Sequence, residues 1–276
     1  MEKKTIKKIL KDIKSNNYAV PDGINPYDLS IEMMNYIGNT DSELRDDLIL
    51  SILSKWIIND TLLINIIYML LMIALDENHL LNGLGKINDT VFIRTFSAEI
   101  IAIIIYKHRQ KNFLSEIDIK KVFNSILKFY NEDKDVRGFV DGKGWAHGAA
   151  HGADALYQLA NCQELGYEEL KMILHSIYKK VNVNYYGYIH FEDERMVTTV
   201  EAILERNIIP VNEIVDWINS FKEINDIDTL AEKLVVNFNV NTFLKSLYFR
   251  FIYIKEYKLI TDTTKDVLKK ISLFEQ

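Results

Sequence analysis

The chain has 276 residues, 48% of them hydrophobic and 26% charged, with three prolines and eleven glycines. Scarce proline and glycine beside abundant Leu, Ile, Lys and Glu argue against a turn-dense β architecture and predict long helices. A formal net charge of −6 gives no basic excess for a dedicated nucleic-acid surface, and a lone cysteine, Cys162, excludes an intrachain disulfide and fits a reducing compartment.

Lys3, Lys4, Lys7, Lys8, Lys11 and Lys14 crowd the N-terminus, but isoleucine and leucine interleave them at helical spacing. That pattern predicts a solvated helix face rather than a binding patch. No apolar stretch of the secretory kind accompanies them. The longest apolar run, Leu62 to Leu75, is fourteen residues with Asn65 inside it, short for a membrane span and suited to a core helix. A cytoplasmic protein without a membrane segment is expected.

Residues 2–17 and 28–37 read as two helices around the breaker Pro21-Asp22-Gly23-Ile24-Asn25-Pro26. Asp41 or Ser42 caps the next helix, which runs to about Ile58 with Leu44, Leu48, Ile52 and Trp56 at four-residue steps. Asn59-Asp60-Thr61 opens the apolar helix 62–76, and a loop follows from Glu77 to Lys86. Asn88-Asp89-Thr90 caps a long helix to about His108, striped by Phe92, Phe96, Ile100 and Ile104, and Ser115 with Asp118 starts another to Tyr130.

A central stretch, Arg137 to Asp154, begins as a glycine-rich turn and becomes a helix rich in alanine and glycine. Beyond it, helices are predicted at 167–182, 191–206, 211–221, 227–237, 240–258 and 263–274. Tyr185 to Phe191 comes nearest to a strand, and it is short. About a dozen helices with short links predict an all-α fold, antiparallel helix pairs stacked as an α/α superhelix of the HEAT-like kind. No Pro- or Ser-rich linker divides the chain, so a single domain over 1–276 is expected.

Four segments occur in order: Asp89-Thr90-Val91-Phe92-Ile93-Arg94-Thr95-Phe96-Ser97-Ala98, Asp135-Val136-Arg137-Gly138-Phe139, Gly144-Trp145-Ala146-His147-Gly148-Ala149-Ala150-His151-Gly152-Ala153-Asp154 and Glu192-Asp193-Glu194-Arg195-Met196. With Leu44-Arg45-Asp46 and Trp56-Ile57, over roughly residues 40–206, they resemble an uncharacterised bacterial family, a numbered domain of unknown function (DUF2785-like). The doubled-histidine segment is the most specific part. The resemblance implies an all-helical cytosolic protein and no particular activity. The Gly-Trp-Ala-His-Gly stretch is also faintly similar to the zinc-binding segment of lanthipeptide cyclases, whose thiolate ligands have no counterpart beside the single Cys162.

On an unbroken helix His147, His151 and Asp154 stand at i, i+4 and i+7, on one face within about 60° of arc, with Trp145 opposite. Two imidazoles one turn apart suit a divalent metal such as zinc, and a carboxylate one turn on completes a facial set. Gly148 occupies the place where zinc hydrolases of the His-Glu-x-x-His type carry their general base, so that mechanism is absent. Asp193, Glu194 and Arg137 are the candidate catalytic groups, with the carboxylates of 192–194 available to activate water. Arg94, Trp145 and Arg195 are the candidate ligand-binding residues, since arginine's planar fork grips carboxylate or phosphate.

A structural reading stands beside each of these. Gly148, Gly152 and the alanines between them admit a close neighbouring helix. Arg94 and Arg137 suit internal ion pairs, for Arg94 with Asp141, Asp154 or Glu194, and Glu192-Asp193-Glu194 suits a helix N-terminus. Two functional readings stay open. One is a helical scaffold that binds a protein, peptide or small polar ligand on a concave face, with neither nucleic acid nor membrane as partner. The other is a metal-assisted hydrolase or transferase built on His147, His151 and Asp154.

Overall fold

Side-chain caps set where three of the described helices begin. The computed structural model describes residues 1–223 and 229–273. Asn25 accepts from the Tyr27 N–H and puts Pro26 at the first position of α2 (Pro26–Met34). Ser115 and Asp118 close the expected capping box of α6 (Glu116–Glu132), and Thr229 with Glu232 does the same for α11 (Leu230–Phe251).

The chain forms two compact units, Met1–Leu159 and Ala160–Gln276. In the first, α1 (Lys3–Ser15) buries Ile6, Leu10 and Ile13 and turns its lysines outward. Lys7 pairs with Asp41 at 2.6 Å and Glu43 at 2.8 Å, and Lys11 with Glu43 at 2.7 Å. A π-helical segment, Glu43–Leu50, runs straight into α3 (Ser51–Ile58). Then come α4 (Ile64–Ala74) and α5 (Thr90–Lys111), on which α3 and α4 both pack. Residues buried around the whole circumference of α5, from Phe92 and Arg94 to Ile104 and Ile105, make it the core helix of this unit.

After α6 comes an antiparallel hairpin of β1 (Phe139–Val140) and β2 (Gly144–Trp145), paired Phe139 to Trp145 and Val140 to Gly144. It leads into α7 (Gly148–Ala160). These two short strands, which periodicity did not announce, are the only sheet among the described residues.

The second unit holds α8 (Tyr167–Val181), α9 (Glu192–Glu205), α10 (Val211–Ser220), α11 and α12 (Lys258–Ile271). Both α9 and α12 pack against α11, and α10 against α12. Trp217, Phe221 and Phe243 form an aromatic knot in its core. The helices expected at 227–237 and 240–258 merge into one continuous α11 that ends at Phe251, a 3-10 turn follows at Lys255–Tyr257, and α12 begins at Lys258, before the expected start at 263. Residues 227 and 228 lie outside the described residues, as does residue 274 of the helix expected at 263–274.

Two asparagines near the expected break direct their side chains to other segments. Asn237 donates to the Ile271 carbonyl at 2.9 Å, and Asn239, buried, donates to those of Val183 and Tyr186. Their side chains leave the helical backbone bonds alone, so the helix continues. The protein is all-α, its neighbouring helices packed in pairs within each unit, and no described helix is long and apolar enough to cross a membrane.

Candidate functional site

The central stretch is shaped by its backbone before its side chains. The hairpin ladder continues past β2, with the Ala146 N–H donating to Gly138 O at 2.8 Å and the His147 N–H to Arg137 O at 2.9 Å. Extended pairing therefore holds residues 144–147, and α7 starts only at Gly148. His147 takes the left-handed conformation, φ 52°, which non-glycine residues adopt rarely. Its carbonyl accepts the first helical bond, from the His151 N–H at 2.9 Å. The expected unbroken helical face through His147 is thus corrected: His147 sits at the helix entrance, and Trp145 lies on a strand.

Three arginines fasten this stretch. Arg94, fully buried, donates from Nε and Nη2 to the two oxygens of Asp133 at 3.1 and 2.9 Å. Its remaining hydrogens go to the Asn82 and Gly83 carbonyls and Thr90 Oγ1 from Nη1, and to the Lys86 carbonyl from Nη2. All five donors of the guanidinium are engaged within the chain, so it acts as a brace for the loop 82–86. Its partner is Asp133 and not Asp141, Asp154 or Glu194.

Arg137 grips its near neighbour Asp135, Nε to Oδ1 at 2.8 Å and Nη2 to Oδ2 at 2.6 Å. Arg45, buried in the π-helical segment, lies over the rings of Phe92 and Phe96 at 4.3 and 4.6 Å. Its guanidinium also donates to the Lys143 carbonyl at 2.9 Å, tying the hairpin to the core. Gly144 is required there: φ is 79°, and a Cβ would come within 2.7 Å of Ser42.

What these braces hold in place is a row of rings. Phe139 meets Trp145 edge-on at 5.1 Å, and Trp145 stacks on His147 at 4.5 Å and 24°. His147 meets His151 edge-on at 5.7 Å, and His151 meets Phe96 at 5.1 Å. The row runs from solvent, with Phe139 at 51% and Trp145 at 39% exposure, to the buried Phe96. Glu99 Oε1 lies 3.8 Å from His151 Nε2. Sequence reasoning missed Glu99, although it is the only charged residue between Arg94 and Lys107.

The small residues of α7 do what their size predicts. A Cβ on Gly152 would stand 2.4 Å from the ring of Tyr130, so α6 and α7 meet without room for a methyl group. Burial raises the Tyr130 phenol, and the charge of Asp154 adds to that rise. Among the described residues, no group of three or more His, Cys, Asp or Glu side chains is placed to hold a metal ion.

Asp193, Glu194 and Arg195 belong to the second unit, at the start of α9. Asp193 accepts from the Ser246 hydroxyl, and Glu194 and Glu201 both pair with Arg250. Arg195 is exposed. Glu192 is fully buried, and burial pushes its carboxyl upward even though the His190 N–H donates to it. Phe191, at φ 63°, turns the chain into this helix. Acidic residues at this helix start favour the positive end of its dipole.

The sequence matches the family model described as "Protein of unknown function (DUF2785)" over residues 80–249, and no curated protein or solved structure gives a significant match. The matched stretch takes in α5, the hairpin, the ring row, α9 and nearly all of α11. It reaches further toward the C-terminus than the segments of the resemblance and leaves out Arg45 and Trp56. The braced hairpin and its histidines thus fall inside the shared region, and the chain belongs to the DUF2785 family.

Proposed function

We propose that this chain is a cytoplasmic helical scaffold that binds a peptide or protein segment at the exposed end of the ring row, Phe139 and Trp145 with His147 behind them. One observation carries the reading: the buried arginine Arg94 directs all its donors inward, while aromatic surface is held outward on a short, braced hairpin. A rigid aromatic pair loses little conformational freedom on binding, which is why such residues anchor interfaces. The arginines then serve as positioning residues, and the two histidines extend the surface with hydrogen-bonding edges.

A photo-crosslinking residue placed at position 139 in the native cell tests this. It is expected to capture a discrete polypeptide, and Trp145→Ala, with unchanged thermal stability, is expected to abolish the capture. Absence of a crosslink, or one indifferent to Trp145, overturns the reading.

The metal-assisted alternative has its own support, the edge-on approach of His147 and His151 at 5.7 Å, a spacing open to two ligands of one ion. Elemental analysis of untagged protein, with thermal melts in zinc, manganese and chelator, separates the two. Bound metal, or a melt that chelator lowers, favours the alternative. An unchanged melt favours the scaffold.

A further inference from the structure

We infer that the groove between α11 and α12 binds a single-headed anionic amphiphile, a medium- to long-chain carboxylate, with its head at Lys245 and Lys265. This site lies wholly in the second unit and is independent of the ring row. The groove encloses about 610 Å³, within the range of small-molecule sites. Among the described residues Lys245, Lys265 and Lys269 line it, no acidic residue does, and none of the three lysines forms an ion pair. Its floor is apolar and unusually open, with Leu234 at 47%, Phe238 at 45% and Leu273 at 57% exposure.

The register of the two helices polarises the groove. Asn237 donates to the Ile271 carbonyl, which sets residues 237 and 271 at one level of an antiparallel pair. Counting away from that level brings Leu234 near Leu273 at one end and Lys245 near Lys265 at the other. The rise from 234 to 245 is about 16 Å, the reach of an extended chain of about twelve carbons. Apolar surface at one end and paired ammonium groups at the other match a molecule charged at one end only. An acidic amphipathic helix would instead need cations along both walls, and Lys269 alone occupies the middle.

Isothermal titration of the full chain with laurate, kept below self-association, tests the inference, with dodecyltrimethylammonium as the control of opposite charge. Laurate is expected to saturate one site and the ammonium amphiphile to leave it empty. A Lys245→Gln/Lys265→Gln double variant, melting like the parent, is expected to weaken laurate binding by about tenfold or more. Phe238→Asp is expected to abolish it. Equal binding of the two amphiphiles, or laurate binding indifferent to the lysines, overturns the proposal. So does lysine-dependent binding of a designed acidic amphipathic peptide by a protein that ignores laurate.

Discussion

Arg94 and Asp133, separated by 39 positions, meet in a buried two-point pair inside the first unit. The same guanidinium holds the loop carbonyls of residues 82, 83 and 86, so one side chain joins the start of α5, the loop before it and the end of α6. The pair fixes where the chain leaves α6, and therefore where the hairpin sits.

Removing one partner leaves the other charged, buried and alone. Arg94→Met is expected to cost about 3–5 kcal/mol of stability. Arg94→Met with Asp133→Leu should recover part of that loss, measured by denaturant unfolding. A single variant as stable as the parent would show that Asp133 is not held by this pair.

Gly152→Ala tests the close approach of α6 and α7. Alanine favours a helix over glycine by about 1 kcal/mol. The new methyl would nonetheless meet the buried Tyr130 ring at 2.4 Å, and overpacking of this kind costs about 1–3 kcal/mol. A net loss of melting temperature is expected, and a rise would mean that the ring moves aside freely.

His147 carries backbone strain at φ 52°. His147→Gly relieves it while removing the ring, so stability should stay within about 1 kcal/mol of the parent. Under the scaffold reading the same variant loses the crosslink from position 139. A large loss of stability would instead make His147 a structural element of the entrance to α7.

Acid should expose the N-terminal ion pairs. Burial works to raise the Asp41 carboxyl, but hydrogen bonds from Lys7, the Leu44 N–H and Lys3 outweigh it and hold it down to about 2 against an ordinary value of 3.8. A depressed folded value means stability that is complete above about pH 4 and lost as the pH falls through about 2. The loss should be about 1–2 kcal/mol, part of the pair being solvent-screened. Unfolding curves of Asp41→Asn between pH 5 and 2 should be flatter than those of the parent.

Glu192 should behave in the opposite sense. Its burial raises the carboxyl above the ordinary 4.5, so the folded state binds the proton more tightly, and ionisation erodes stability as the pH climbs through the raised value. Glu192→Gln keeps an acceptor for the His190 N–H and is expected to melt higher than the parent at neutral pH. An unchanged melt there would show the carboxylate to be compensated.

Much of the fold is local chemistry, and local chemistry is legible in sequence. The apolar stripe of α5 and the Ser115–Asp118 box each announce a helix through residues only a few positions apart, and each stands where expected, whereas Pro26, read as part of a breaker before a helix from residue 28, instead opens α2. The candidate site was only half legible. The doubled histidines and Trp145 do cluster, but as a row of rings rather than one helical face.

What the sequence determined by itself is the helical class and most helix boundaries, because capping and periodicity act over a turn or two of chain. Tertiary structure decided that Arg94 holds Asp133, that the asparagines of α11 bond carbonyls of other segments, and that Glu99 lies beside His151. Those outcomes depend on which backbone carbonyls and carboxylates lie near a side chain in space, dozens of positions away along the chain, and no short window of residues contains that information.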